Sequence, residues 1–409
     1  MTLKGLHNYE VQQMNPLLAR WLRLAALAGL AALVLFVAGG FLAGFRQFFQ
    51  SYLFAYMFWL ELTLGGLAVA MLHYLVGGEW GVMIRRVAET AAKNVGLMAL
   101  LFIPVAIGVQ YLYPWAQPAV VAADEILQQR QPYMNVPFFI VRAAVYFGVW
   151  LVLTRLTRWA YRPEYTTSLE MRSRLQRQSA LGMIALGLSM SFAAVDWLMS
   201  LDAHWFSTIY PMLIVVGQIL AGLAFAIALT PFLARRTPLG KIINSGHYRD
   251  LGALLLSFVL VWAYIGFSQY LIIWWANLPH DVSWYLVRSG GGWEYVGLAI
   301  YGIQFVLPFL VLLSVWAKSN PRVLILLSAT ILFMRLVDYY WHVAPAFSPG
   351  AITIHWMDLL APVALGGIWT AVFAWNLRRT PLILPVIPHP EETREPEQRK
   401  PGRTSVEAE

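Results

Sequence analysis

The chain has 409 residues, of which 59% are apolar and 12% charged, and it contains no cysteine. A soluble chain runs at about 45–50% apolar and about 25% charged, so a soluble multidomain protein is excluded: so few charges could not cover its surface. The missing thiols also exclude disulfides, thiolate-held zinc, cysteine-ligated iron–sulfur clusters and covalently attached c-type haem from this chain.

Ten apolar runs are long enough, at roughly 20 residues each, to cross about 30 Å of hydrocarbon. They fall at 21–43, 51–77, 95–116, 136–158, 178–201, 207–233, 251–277, 293–317, 321–343 and 354–378. The expected fold is therefore all-α and membrane-integral. An N-terminal segment 1–20 precedes a ten-helix membrane domain 21–378, and a tail 379–409 rich in proline and charge follows it. The tail reads as a strap rather than a domain. The first run is too long for a cleavable signal and lacks a small-residue cleavage end, so it should stay as a span. Thr167-Ser168-Leu169-Glu170 has the form of a capping box, which starts the fifth helix near 168 and carries it beyond the bilayer.

Charge sets the expected orientation. Of the 29 basic residues, 24 lie in loops and tails on one side, three (Arg46, Arg130, Arg288) on the other, and two (Arg142, Arg335) inside spans. The positive-inside rule then puts both termini in the cytoplasm. The net charge of +8 is a topology signal and needs no nucleic-acid partner.

Ionisable groups in hydrocarbon are costly and usually mark a bundle interior or a functional path. Glu61, Arg142, Asp196, Glu294, Arg335, Asp338, His342, His355 and Asp358 all fall toward the extracytoplasmic side, with His73 the exception. Arg335, Asp338 and His342 stand at i, i+3 and i+7 and share a helix face, as do His355 and Asp358. One reading is a structural ion pair between Arg335 and Asp338. The other is a chain of exchangeable groups, a proton path through Glu61, Asp196, Arg335, Asp338, His342, His355 and Asp358. Ser268, Gln269 and His280, near the outer end of span seven, are candidate hydrogen-bond donors to a quinone, or else interhelical contacts. No thiolate or histidine cluster suggests a metal. A b-type haem needs facing histidines at one depth, and only His342 and His355 come close, both near the aqueous edge. Most tryptophans, including Trp197, Trp205, Trp274, Trp275, Trp284, Trp293, Trp341 and Trp356, are expected in interfacial belts. The Gly290-Gly291-Gly292 run suits a turn or a close backbone approach.

Two stretches go beyond pattern. The first is Asp196-Trp197-Leu198-Met199-Ser200-Leu201-Asp202-Ala203-His204-Trp205-Phe206-Ser207-Thr208. The second runs from His247-Tyr248-Arg249-Asp250-Leu251-Gly252 through Trp262-Ala263-Tyr264 and Phe267-Ser268-Gln269-Tyr270 to Trp274-Trp275-Ala276-Asn277-Leu278-Pro279. Together they resemble the F subunit of bacterial alternative complex III, a quinol-oxidising respiratory and photosynthetic assembly, within the wider NrfD/polysulfide-reductase membrane-anchor family. His280-Asp281 follows Pro279 where that family tends to have two acids.

The resemblance implies two four-helix bundles, spans two to five and six to nine, flanked by spans one and ten, in a bacterial inner membrane. It implies a homologous quinone-binding membrane subunit, c-type cytochrome subunits and an iron–sulfur subunit as partners, which would hold the haem c and the clusters. This chain would bind no cofactor of its own, although a menaquinone- or ubiquinone-type quinol could visit it. Its expected role is scaffold and part of a proton path. The alternatives are an independent quinone-binding subunit and a secondary transporter, whose substrate sites often break helices at Gly or Pro; Pro104 and Pro308 lie within spans three and eight.

Overall fold

The computed structural model describes residues 3–159, 169–235 and 243–379. Thr167 and Ser168 of the expected capping box, and the tail beyond Arg379, lie outside the described residues. Among the described residues ten helices are long and apolar enough to cross a membrane: Pro16–Ala43, Phe45–Val76, Met83–Ile107, Val136–Thr157, Ser173–Leu201, Tyr210–Ala234, Ser245–Ala276, Trp293–Leu312, Pro321–Ala346 and Trp356–Arg378, numbered spans one to ten. Among the described residues there is no strand. The fifth helix begins at Leu169 and runs to Trp197, so its 29 residues are about 44 Å long at about 1.5 Å per residue.

Span three departs from the expected 95–116. It starts inside a helix Trp80–Ala92, and after a turn at Lys93 and Asn94 the chain continues in short helical pieces to Leu112. Arg85, Arg86 and Glu89 stand at helical spacing and pair with one another. A stretch that reads as a charged loop therefore packs as a helix, with Arg86 and Glu89 buried.

Spans two to five pack as one bundle, spans six to nine as another, and spans one and ten pair along most of their length beside span two. Span two is nearly all buried, because spans three, five, six, nine and ten surround it. In a bilayer, helices gain little from the hydrophobic effect and associate by close packing at small residues and by polar contacts. A Cβ on Gly65 would lie 1.8 Å from the Gln218 carbonyl oxygen, and one on Gly222 would lie 2.2 Å from the Gly65 carbonyl carbon, so spans two and six touch backbone to backbone. Gly29 and Gly367 bring spans one and ten together in the same way. Polar side chains then lock the helices. Trp369 Nε1 donates to Thr63 Oγ1 at 2.8 Å, and Asn94 Nδ2 donates to the Trp369 carbonyl at 3.0 Å.

The tryptophans divide in a way the belt expectation misses. Trp274, Trp275, Trp316 and Trp356 are exposed on the helix surface. Trp197, Trp205, Trp284 and Trp293 are buried. Trp205 stacks on Trp284 at 5.0 Å between ring centroids and donates to the Asp281 carbonyl at 2.9 Å, which fastens the link between the bundles to the loop after span seven. Depth along the membrane did not distinguish a ring facing lipid from one facing protein.

The two distinctive stretches have local physical reasons. Asp202 Oδ1 accepts from the backbone N–H groups of His204 and Trp205, turning the chain between spans five and six. Asn244 and His247 cap the start of span seven reciprocally. Asn277 ends that span in the left-handed region at φ 47°, a conformation that asparagine tolerates better than most residues, just before Pro279 starts the next short helix. Gly291 and Gly292 also have positive φ, and a Cβ on Gly291 would meet the Gly350 carbonyl at 2.3 Å, which is the close approach expected of the glycine run.

Candidate functional site

The expected site residues separate into three clusters. The deepest joins both bundles. Arg335 of span nine donates from Nη2 to Glu61 Oε2 at 2.8 Å and from Nε to both Glu61 oxygens at 3.2 and 3.3 Å. Its Nη1 donates to Asp338 Oδ2. His342 follows one turn on, with Nε2 3.6 Å from Asp338 Oδ1, and its Nδ1 shares a hydrogen bond with the Tyr210 hydroxyl at 3.2 Å. Exposures are 0% for Glu61 and Arg335, 3% for Asp338 and 2% for His342. Gly217 of span six makes room for the guanidinium, since a Cβ there would lie 2.3 Å from Arg335 Nη2. Helical spacing put Arg335, Asp338 and His342 on one face; Glu61 reaches them from span two.

Charge balance defines what this cluster can do. Two carboxylates share one guanidinium, so the group has one more acid than it has fixed cations. An uncompensated charge in a low-dielectric interior is costly. Within the Glu61–Arg335–Asp338 triad, one further proton would restore neutrality.

The second cluster is balanced. Arg142 forks onto Asp196 with contacts of 2.7 and 3.0 Å, and the hydroxyls of Tyr146 and Tyr133 donate to the same carboxylate at 2.7 and 3.1 Å. One cation, one anion and a full set of donors make a bidentate structural clamp between spans four and five. Tyr133 lies beyond the spans, and burial pushes its hydroxyl up to about 12, so it stays a donor. Asp196 therefore belongs to a different group from the triad.

The third cluster sits at the start of span ten. Asp358 accepts from Ser51 Oγ at 2.6 Å, Gln47 Nε2 at 3.1 Å and the His355 backbone at 2.9 Å, while His355 Nδ1 accepts from the Met357 backbone. Asp358 is thereby held against the start of span two rather than beside the Arg335–Asp338 pair. Ser51 and Glu61 are ten residues apart on one helix, about 15 Å.

A half-open cavity of about 330 Å³ reaches His342 from the end of the molecule opposite to most of the arginines. Asp124, Asp202, His204, Trp284 and Arg288 also line it. Asp124 Oδ2 lies 2.6 Å from His204 Nε2. Its carboxyl is held below the usual aspartate range, chiefly by the Leu127 backbone N–H, with the His204 contact adding to it. Arg288 donates to the carbonyls of Trp341, Trp284 and His342 at 3.2, 2.9 and 3.0 Å, closing the ends of span nine and of the short helix Pro279–Leu286 after span seven. Burial lowers its guanidinium to about 9, with Tyr210 and Asp202 opposing.

Ser268, Gln269 and His280 share no hydrogen bond. Gln269 is buried, Ser268 partly exposed, and His280 exposed beside Asp281 at 3.3 Å. None of the three lines this cavity or a second one of about 300 Å³ bordered by Tyr133, Met134, Met199, Trp205 and Phe206. Pro104 and Pro308 do mark irregular helix. Span three is interrupted at Phe102 and breaks again at Gly108 just past its end, and span eight carries a π-helical stretch Ile300–Val306 just before Pro308. These spans hold the second place in one bundle and the third in the other, so they are not a matched pair of broken helices. Among the described residues no group of His, Asp or Glu is placed to hold a metal ion.

One buried cluster was not anticipated. Glu89 accepts from the Tyr74 hydroxyl at 2.6 Å and from Arg86 at 3.3 Å, with Arg85 Nε at 3.7 Å, next to His73 at the other end of span two. Its signal in the sequence was the i, i+3 and i+4 spacing of Arg85 and Arg86 to Glu89 amid alanines.

Fold and site define a polytopic α-helical membrane protein built on two four-helix bundles joined by a buried, charge-unbalanced ionic cluster. No protein-family model matches the chain, and no curated protein matches it.

Proposed function

We propose that this chain is a membrane subunit of a quinol-oxidising assembly of the alternative complex III type, in a bacterial inner membrane with both termini in the cytoplasm. It packs against a homologous quinone-binding subunit, while cytochrome c and iron–sulfur partners carry the electrons. Without a thiolate of its own, the chain contributes the scaffold and part of a proton path.

The observation that supports this reading most is the Glu61–Arg335–Asp338 cluster, one proton short of neutrality, with His342 leading from it to an open cavity. A purely structural ion pair would be balanced, as Arg142 and Asp196 are. The proton path is accordingly assigned to Glu61, Arg335, Asp338 and His342; Asp196, His355 and Asp358 brace the surrounding helices.

The test is Asp338→Asn in the assembled complex, with protons released per electron as the readout. Fewer protons per electron are expected, at retained assembly. Unchanged stoichiometry with normal turnover would refute the proton role.

A further inference from the structure

The cavity that reaches His342 has a graded wall, with a cation among its buried residues and acids among its more exposed ones. His342 and Arg288 both line it, at 2% and 5% exposure. Asp202 and Asp124 line it too and are partly exposed, and His204 beside them is exposed at the surface.

The chemistry of each wall residue is distinct. His342 Nδ1 shares its hydrogen bond with Tyr210, whereas Nε2 has no hydrogen-bond partner among the described residues and lies 3.6 Å from Asp338 Oδ1. Nε2 is therefore the atom at which His342 can take a proton from the triad. Among the described residues the hydrogen bonds of Arg288 go only to backbone carbonyls, which satisfy its donors and leave its charge in place. Asp124 divides its carboxylate. Oδ1 accepts from the backbone of Ile126 and Leu127, and Oδ2 meets His204 Nε2 at 2.6 Å.

We propose that this cavity is the outward exit of the proton path, with Asp124 and His204 as the pair that hands the proton to external water. The proposal rests on the proton role assigned to the triad. His342 takes a proton from Asp338 at Nε2 and gives one up to water in the cavity, which has room for several molecules. Arg288 repels that proton from the buried end, while Asp202 and Asp124 attract it toward the mouth. His204, hydrogen-bonded to Asp124, then releases it, since an imidazole exchanges protons readily near neutral pH. The order of charges along the wall thus gives the path a direction.

The complex, reconstituted into liposomes with the cavity outward and a pH indicator outside, would be given a pulse of reduced quinol, and proton release and electron transfer followed together. His204→Gln with Asp124→Asn removes the pair, and asparagine caps a helix as well as aspartate does, so the turn is kept. Proton release should lag electron transfer severalfold in this variant and stay in step with it in the wild type. External imidazole, small enough to enter the cavity, should restore the rate. His280→Gln, at an exposed histidine outside the cavity, should have no effect. Release in step with electron transfer in the double variant, while Asp338→Asn lowers the proton yield, would overturn the exit and leave the path standing. No effect of either would overturn both. A lag that imidazole does not relieve would make the pair structural and equally end the assignment.

Discussion

Replacing Arg335 with methionine tests the charge balance of the central cluster directly. The substitution removes the only guanidinium between Glu61 and Asp338 and leaves both carboxyl groups 0–3% exposed. Breaking a buried ion pair by deleting one partner costs about 3–5 kcal/mol, because the other partner stays buried without compensation. Here one cation serves two acids, so the cost belongs at the upper end of that range. Adding Glu61→Gln and Asp338→Asn to Arg335→Met removes every formal charge of the triad, and replacing a whole buried ionic group is often close to neutral. The single variant should therefore be about 3–5 kcal/mol less stable than the wild type, and the triple variant should recover most of that loss. Thermal unfolding of the detergent-solubilised assembly, followed by the fraction remaining monodisperse, reads both. Equal stability of the single and triple variants would refute the argument from charge.

Two further perturbations probe packing and the cavity rim. Gly65→Ala places a Cβ 1.8 Å from the Gln218 carbonyl, so spans two and six must separate, at a cost of about 1–3 kcal/mol or more; Gly187→Ala, which meets nothing within 4 Å, should be neutral by the same unfolding assay. The depressed carboxyl of Asp124 stabilises its turn above the ordinary aspartate range, and that contribution is lost as pH falls through the lower, folded-state value. Protection factors at Ile126 and Leu127, taken relative to the intrinsic exchange rate at each pH, should accordingly fall on acidification in the wild type and stay low at every pH in Asp124→Ala.

Most of the architecture was legible because hydrocarbon imposes a length and excludes charge. Ten runs of the right size became ten spans, and Arg335 with Asp338 could be paired from spacing alone. What could not be read depends on which helix face meets protein. In soluble proteins apolar residues mark the buried face, but in a bilayer both faces are apolar and periodicity loses that information. For this reason the interior Trp197, Trp205, Trp284 and Trp293 were indistinguishable from belt residues, and Glu61 could be placed at the right depth without revealing that it faces Arg335. Arg86 and Glu89 were hidden for the converse reason: charges that neutralise one another in a helix have the same composition as a loop.

The partnership between Glu61 and Arg335 also has a temporal side. They are separated by 274 positions along the chain. At a synthesis rate of about 5–20 residues per second, an interval on the order of 15–55 seconds passes between the making of one and of the other. Throughout that interval span two holds a glutamate without its cation, although spans three, five and six are made before span nine. The finished centre of the molecule is thus the earliest part to need shelter, and completion of span nine is the step that releases it from that need.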